Sequence, residues 1–302
     1  MNCVSEAVKA KPHIGPLLVL CAAVWGLTFP AGKIASLQAS PLNATLWRFI
    51  IASILLIPLA MRISAMKFKD LRARDFLGLA LSGLTGLVLY NFFFIKGLSM
   101  IPASRGAVIV CGSPALIYLG AVIFFGEKLT LTRCLGVLIS AFGTAYVITM
   151  GRPLSAFSGG LGAGDIIMLG CPLSWTAYSL IGRVVLKRIS PLDANTWSVL
   201  AAVILILVTM PITHEPIGQA AIYSLKTWTT LAFLGLGGTA LGFTLFYMGI
   251  SNIGPHRAAA YINLVPVFGI LYGWLMFRET PDSSLIIGLI MILAGLRLVQ
   301  KY

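Results

Sequence analysis

The chain has 302 residues, 58% of them hydrophobic and 10% charged, with a mean hydropathy of +0.95; a water-soluble domain carries roughly 25% charged residues, so a soluble globular protein is excluded. The formal charge of +13 does not mark a nucleic-acid partner, because the basic residues are dispersed between apolar blocks instead of forming a patch on a soluble domain. Five cysteines, Cys3, Cys21, Cys111, Cys134 and Cys171, show no C-x-x-C spacing and fall mostly inside apolar blocks, so no disulfide framework, metal site or cofactor is expected.

The apolar blocks are about 20 residues long, the length at which a helix rising about 1.5 Å per residue crosses a hydrocarbon core of about 30 Å. Segments such as Leu116 to Phe125 and Val203 to Val208 are apolar without alternating, which predicts helices and not a barrel. In chain order the first five spans are expected at Pro16 to Ala35, Ala44 to Met61, Phe76 to Leu98, Ser104 to Phe125 and Cys134 to Met150. Five more are expected at Ile166 to Leu186, Asn195 to Pro211, Trp228 to Ile250, Ala258 to Phe277 and Ser284 to Val299. The first follows Lys9 and Lys11 and is read as uncleaved: Leu20 before Cys21 is too large for lipoprotein processing, and no small-x-small site follows Trp25. The longest polar connections are Arg62 to Asp75, Arg152 to Asp165 and Thr213 to Thr227, none of which holds a soluble domain.

The chain matches itself at an offset of 150: Trp25 falls on Trp175, Ser40-Pro41-Leu42 on Ser190-Pro191-Leu192, Ala44 on Ala194 and Trp47 on Trp197. At an offset of 152, Arg105 falls on Arg257, Pro114 on Pro266, Glu127 on Glu279, Gly136 on Gly288 and Gly143 on Gly295. Rare residues recurring in one order within one narrow offset band indicate a duplication, with residues 1–150 as one repeat and 151–302 as the other. Five spans per repeat is an odd number, so the second repeat enters from the opposite side and is inverted. With the N-terminus inside, fifteen lysines and arginines lie on inner segments and six on outer ones, which places both termini in the cytoplasm. The expected fold class is an all-α membrane protein of ten transmembrane helices in two inverted five-helix repeats, multi-pass in a bacterial inner membrane.

Trp25-Gly26 followed by Pro30, the two Ser-Pro-Leu triplets and the two closing stretches resemble a known family. Those stretches read Gly126-Glu127-Lys128 with Gly136 and Gly143, and Arg278-Glu279-Thr280 with Gly288 and Gly295. Over almost the whole chain they resemble the EamA-type drug/metabolite transporters, and within them bacterial exporters of amino acids and related metabolites. The resemblance implies a central cavity lined mainly by spans one, three, four, six, eight and nine, with the fifth and tenth helices at the periphery.

Inverted repeats point to alternating access around a midplane site. Pro114 and Pro266 stand near the middles of equivalent spans and are candidate hinges, or static kinks that fit each helix to its neighbours. Trp25 and Trp175 lie well inside their spans; with Thr28 and Tyr178 one turn on, they either line an aromatic cavity or pack the bundle. Tyr90 with Asn91, and Tyr261 with Asn263, either contact substrate or bond across helices. The acidic residues fall at span ends or in loops, so no deep carboxylate is available for proton coupling. Lys33, Arg48, Lys96 and Arg105 could lend the pathway a positive potential, although each read singly is expected to snorkel to the interface. Glu127 and Glu279 are expected to bond loop or helix-end groups. The glycine pairs Gly238/Gly242 and Gly269/Gly273 suit close helix packing, and Gly159-Gly160-Leu161-Gly162, with no Lys-Ser/Thr behind it, reads as the linker between repeats.

The expected function is export of small amphipathic metabolites, namely amino acids with apolar or aromatic side chains, by alternating access; the alternative is a channel-like or structural polytopic protein. An enzyme is not expected, since His13, His214 and His256 are scattered near span ends. The expected partners are a small-molecule substrate and the lipid bilayer; the sequence sets no oligomeric state, and a monomer is compatible with every reading above.

Overall fold

A computed structural model describes residues 14–64, 71–128, 130–152, 162–215, 217–253, 258 and 261–300. Both termini, Lys67 and Lys69, the linker stretch Gly159 to Leu161, and Arg257 lie outside the described residues. The chain is built of helices: α1 (Ile14–Ala35), α2 (Pro41–Ile63), α3 (Ala73–Leu98), α4 (Ala103–Phe125) and α5 (Leu131–Ile148) in the first repeat. The second repeat contributes α6 (Ala163–Val185), α7 (Pro191–Ile212), α8 (Leu225–Ile253), α9 (Val265–Phe277) and α10 (Ser283–Gln300). Among the described residues seven of these, α1 to α5, α7 and α8, are long and apolar enough to cross a membrane, while α9 and α10 are shorter apolar helices. Large apolar side chains such as Ile54, Ile123, Leu138, Ile204 and Ile290 stand on the outer surface, which suits hydrocarbon and not water.

Local chemistry starts and stops the helices. The two Ser-Pro-Leu triplets are N-caps: the Ser40 hydroxyl accepts from the Asn43 N–H and the Ser190 hydroxyl from the Asp193 N–H. Pro41 and Pro191 then occupy the first turn, where no N–H is needed. The matched closing stretches begin with left-handed caps, Gly126 at φ 67° ending α4 and Arg278 at φ 56° ending α9.

Four of the expected spans are less regular than their sequence pattern implies. α3 and α8 each hold a π-helical stretch, Gly83–Leu89 and Leu234–Leu241, at matching places in the repeats. α4 breaks into Ala103–Val110 and Ser113–Phe125 around Cys111 and Gly112. The expected span from Ala258 likewise turns at Asn263 and Leu264 before α9 starts. Pro114 and Pro266 therefore do not kink a continuous helix; each sits in the first turn of a helix that restarts after a break.

Among the described residues the largest helix contacts have counterparts under exchange of the repeats: α1 packs on α9 as α6 packs on α4, and α3 on α6 as α8 on α1. The seam between α5 and α10 reveals the direction of the symmetry. A methyl group added at Gly136 would stand 2.5 Å from the Gly295 carbonyl oxygen, and one at Gly143 would stand 2.9 Å from that of Gly288. Gly136 is equivalent to Gly288 and Gly143 to Gly295, so each glycine meets the equivalent of the other one and the two helices run antiparallel. This is the crossing that a two-fold axis lying across the two helices would produce. Small residues allow this approach, and close backbone contact is a main source of helix association where lipid removes the hydrophobic drive.

Gly136→Leu is expected to force that seam apart and cost about 1–3 kcal/mol, read as an earlier thermal unfolding midpoint in detergent. Leu138→Ala, at a nearby side chain 64% exposed, should leave the midpoint unchanged; equal midpoints for all three proteins would show that the seam does not hold the halves together.

Candidate functional site

The repeats meet at two equivalent tryptophans. Trp25 of α1 and Trp175 of α6 touch edge to face with ring centroids 5.4 Å apart, a favoured aromatic geometry. Glycines in the π-helical stretches or beside them let these rings in. A methyl at Gly242 would collide with Trp25 Nε1, and one at Gly86 would collide with the ring of Tyr178 behind Trp175. The indole N–H of Trp25 donates to the Gly238 carbonyl at 2.9 Å, so this buried donor is satisfied by backbone.

Phe243 lies 5.5 Å from Trp25 and 5.6 Å from Trp175, and Tyr90 lies 5.5 Å from Trp175 and stacks on Phe94. With Thr28, Phe29, Arg48, Val110, Ser113, Ile262 and Val265, these side chains line a tight pocket of about 40 Å³, smaller than the roughly 300–1,000 Å³ of open small-molecule sites. Val110 and Ser113 flank the break in α4, and Ile262 and Val265 flank the turn before α9, so both discontinuities open onto the pocket. At the first, the Ser113 hydroxyl donates to the Val110 carbonyl at 2.5 Å.

The polar side of the pocket is Arg48. Its side chain does not snorkel: the residue is 4% exposed, and Nε donates to Thr239 Oγ1 at 2.7 Å while Nη1 donates to Asn91 Oδ1 at 2.5 Å. Asn91 Nδ2 in turn donates to the Leu87 carbonyl at 2.8 Å, which fixes which end of the amide faces the guanidinium. Thr239 belongs to the π-helical stretch of α8, so one arginine of α2 is held jointly by α3 and α8.

Of the residues singled out by sequence, Trp25, Thr28, Tyr90 and Trp175 line this pocket. Tyr178 lies one layer behind, 5.1 Å from Trp175 and stacked on Tyr247 at 5.3 Å. Asn91 is also behind the wall, where it orients Arg48. Asn263 sits in the turn between Ile262 and Val265, its Oδ1 buried without a hydrogen-bond partner among the described residues. Tyr261 does not join the lining; its hydroxyl faces Gly15 at the start of α1. Phe29, Phe94 and Phe243 carry no mark of their role in the sequence, because sequence alone cannot separate an inward phenylalanine from a lipid-facing one. For Arg48, the usable signal is its replacement by Ser198 at the equivalent place in the second repeat.

The other charged groups hold the ends of the bundle. Lys33 Nζ donates to the carbonyls of Ile101 at 2.8 Å and Leu98 at 3.3 Å, satisfying the end of α3. Arg105 pairs with Asp165 at 2.8 Å, and Arg183 with Glu127 at 2.7 Å. Glu279 accepts from the N–H groups of Ala103 and Ser104, each at 3.0 Å, and so caps α4 from the end of α9.

The model of the EamA-like transporter family matches this chain twice, over residues 13–149 and 162–300. The "Uncharacterized transporter YyaM" of Bacillus subtilis is 25% identical over 271 residues, covering 89% of this chain and 88% of that one. The "Probable terminal-alkyne amino-acid exporter" of Streptantibioticus cattleyicolor is 22% identical over 284 residues, covering 94% of this chain and 92% of its own. A protein of known crystal structure shares the fold with a TM-score of 0.68 at 19% identity, over 95% of this chain and 98% of that one. Two helical repeats, each matched by the same family model, establish that the chain is a multi-pass membrane transporter of the EamA-like transporter family.

Proposed function

We propose that the protein is a secondary transporter that exports small amphipathic metabolites, in particular amino acids with aromatic or apolar side chains, across a bacterial inner membrane by alternating access. The supporting observation is the position of the pocket: it lies between the two repeats, around the equivalent pair Trp25 and Trp175, and we read the halves as inverted. Halves related in this way can exchange the roles of inner and outer gate with little change in their mutual packing. In this reading all ten helices cross the bilayer, both termini are cytoplasmic, and the site comprises Trp25, Thr28, Tyr90, Trp175 and their supports Asn91, Tyr178 and Asn263. Tyr261 belongs to the inner approach beside α1. The relative from Streptantibioticus cattleyicolor, named as an amino-acid exporter, supports the substrate class.

The breaks beside the pocket supply the moving parts. Pro114 and Pro266 keep α4 and α9 from continuing through them, since proline offers no N–H to bridge the gap. Rotation at the two breaks would pass the lining residues from one side of the membrane to the other.

Four outcomes are expected. A reporter active only in the periplasm stays silent when fused after Tyr302 and is active when inserted between Arg152 and Asp165; the opposite pattern removes the proposed topology. Pro114→Ala and Pro266→Ala slow turnover more than they weaken binding, and unchanged turnover in both would leave the prolines as static joints. In proteoliposomes labelled phenylalanine shows saturable counterflow, where a channel would give none. Trp25→Ala and Trp175→Ala raise its half-saturation concentration roughly five- to 150-fold, for a loss of about 1–3 kcal/mol of aromatic contact, with less effect on alanine. Equal effects on both amino acids would make the tryptophans packing residues.

A further inference from the structure

The backbone around Arg48 obeys the two-fold symmetry, but its side chain does not. A methyl at Gly235 would stand 2.6 Å from the Arg48 carbonyl oxygen, and one at Gly83 would stand 2.7 Å from that of the equivalent Ser198. The two crossings are the same, yet one presents a guanidinium and the other a hydroxymethyl group. The pocket therefore has a single positive charge, displaced to the side formed by α2, α3 and α8.

That charge has no counter-ion among the described residues. Both of its hydrogen bonds go to neutral oxygens, Thr239 Oγ1 and Asn91 Oδ1, and none of the three ion pairs among the described residues includes it. Two of the five N–H groups of the fork are thereby used. Gly238 packs against Nη2, where a methyl would stand 3.0 Å away, so the α8 backbone closes one side of the fork and the pocket lies on another. An arginine held within a membrane bundle is costly unless an anion meets it, and its partner is expected in the transport pathway. Trp25, Trp175 and Phe243 line the same pocket and offer apolar and aromatic contact.

We infer that Arg48 is the specificity-determining residue that binds a carboxylate of the transported molecule. Asn91 and Thr239 are its positioning residues, and the tryptophan pair receives the apolar part of the same ligand. This inference rests on the proposed export of amphipathic metabolites and narrows it to molecules bearing a carboxylate. The planar fork suits a two-oxygen anion better than an ammonium could. Because Ser198 replaces the arginine on the other half, the ligand keeps one orientation relative to the protein.

The test is calorimetric titration of the purified full-length protein in detergent with three probes: phenylalanine, N-acetylphenylalanine, which keeps only the carboxylate charge, and phenylalaninamide, which lacks the carboxylate. Phenylalanine is expected to bind about 10- to 150-fold more tightly than phenylalaninamide, the range of a charge-assisted hydrogen bond. Arg48→Gln should remove that difference and Arg48→Lys restore part of it. A purely structural Arg48 would leave the ratio untouched while lowering stability. Equal affinity of the wild-type protein for phenylalanine and its amide overturns the role of Arg48 and leaves amino-acid transport standing, and this comparison requires no variant to fold. Binding of N-acetylphenylalanine without phenylalanine supports the carboxylate site and overturns the amino-acid reading, and binding of none of the three overturns both.

Discussion

Inside a membrane every backbone carbonyl and N–H needs a partner within the protein, because hydrocarbon supplies none. Irregular backbone is therefore confined to places where side chains take over the freed groups, and here those places surround one pocket. In the π-helical part of α8, the Gly238 carbonyl accepts from the Trp25 indole, the Thr239 carbonyl from Asn195, and the Leu234 carbonyl from the Thr239 hydroxyl. At the break in α4 the Val110 carbonyl accepts from Ser113. Each substitute bond also positions a side chain of the site or a neighbour of it, so the requirement to satisfy the backbone and the construction of the pocket are met by the same residues.

The duplication explains both the symmetry and its exceptions. Inverted halves need a few contacts that map onto themselves, and these are made by glycines at the α5–α10 seam and by the tryptophan pair on the axis. A substrate is not two-fold symmetric, so the groups that orient it have to break the repeat. Arg48 opposite Ser198 is such a break, placed where the surrounding backbone remains equivalent. Thr28 and Tyr178 are another, the smaller packed against Gly238 and the larger against Gly86.

The charged residues separate by depth into two kinds of work. At the ends of the bundle, the largely buried pair Arg105–Asp165 and the partly solvated pair Arg183–Glu127 tie neighbouring helices, while Glu279 caps α4. A partly solvated pair such as the second contributes little stability singly, and both pairs fix which helix ends lie together. Arg48 is buried and has no acidic partner among the described residues. Snorkelling fits Lys33 and Arg105 no better than it fits Arg48, because all three point inward to specific acceptors.

By itself the sequence determined the helical class and the two repeats, because hydrophobic length and rare-residue spacing are one-dimensional properties. It also pointed to Trp25, Thr28, Tyr90 and Trp175, since polar or amphipathic groups within apolar helices need neighbours to satisfy them. Only the tertiary structure decided which residues behind those four complete the site. The matched π-helical stretches have no sequence code separate from ordinary glycine-rich helix, and they set the direction in which Thr239 and the Gly238 carbonyl point. Whether Phe29, Phe94 and Phe243 face inward depends on helix rotation, which lipid as apolar as the interior leaves unmarked in composition. Arg48 became legible as a site residue only once three helices, distant in sequence, were seen to enclose its guanidinium.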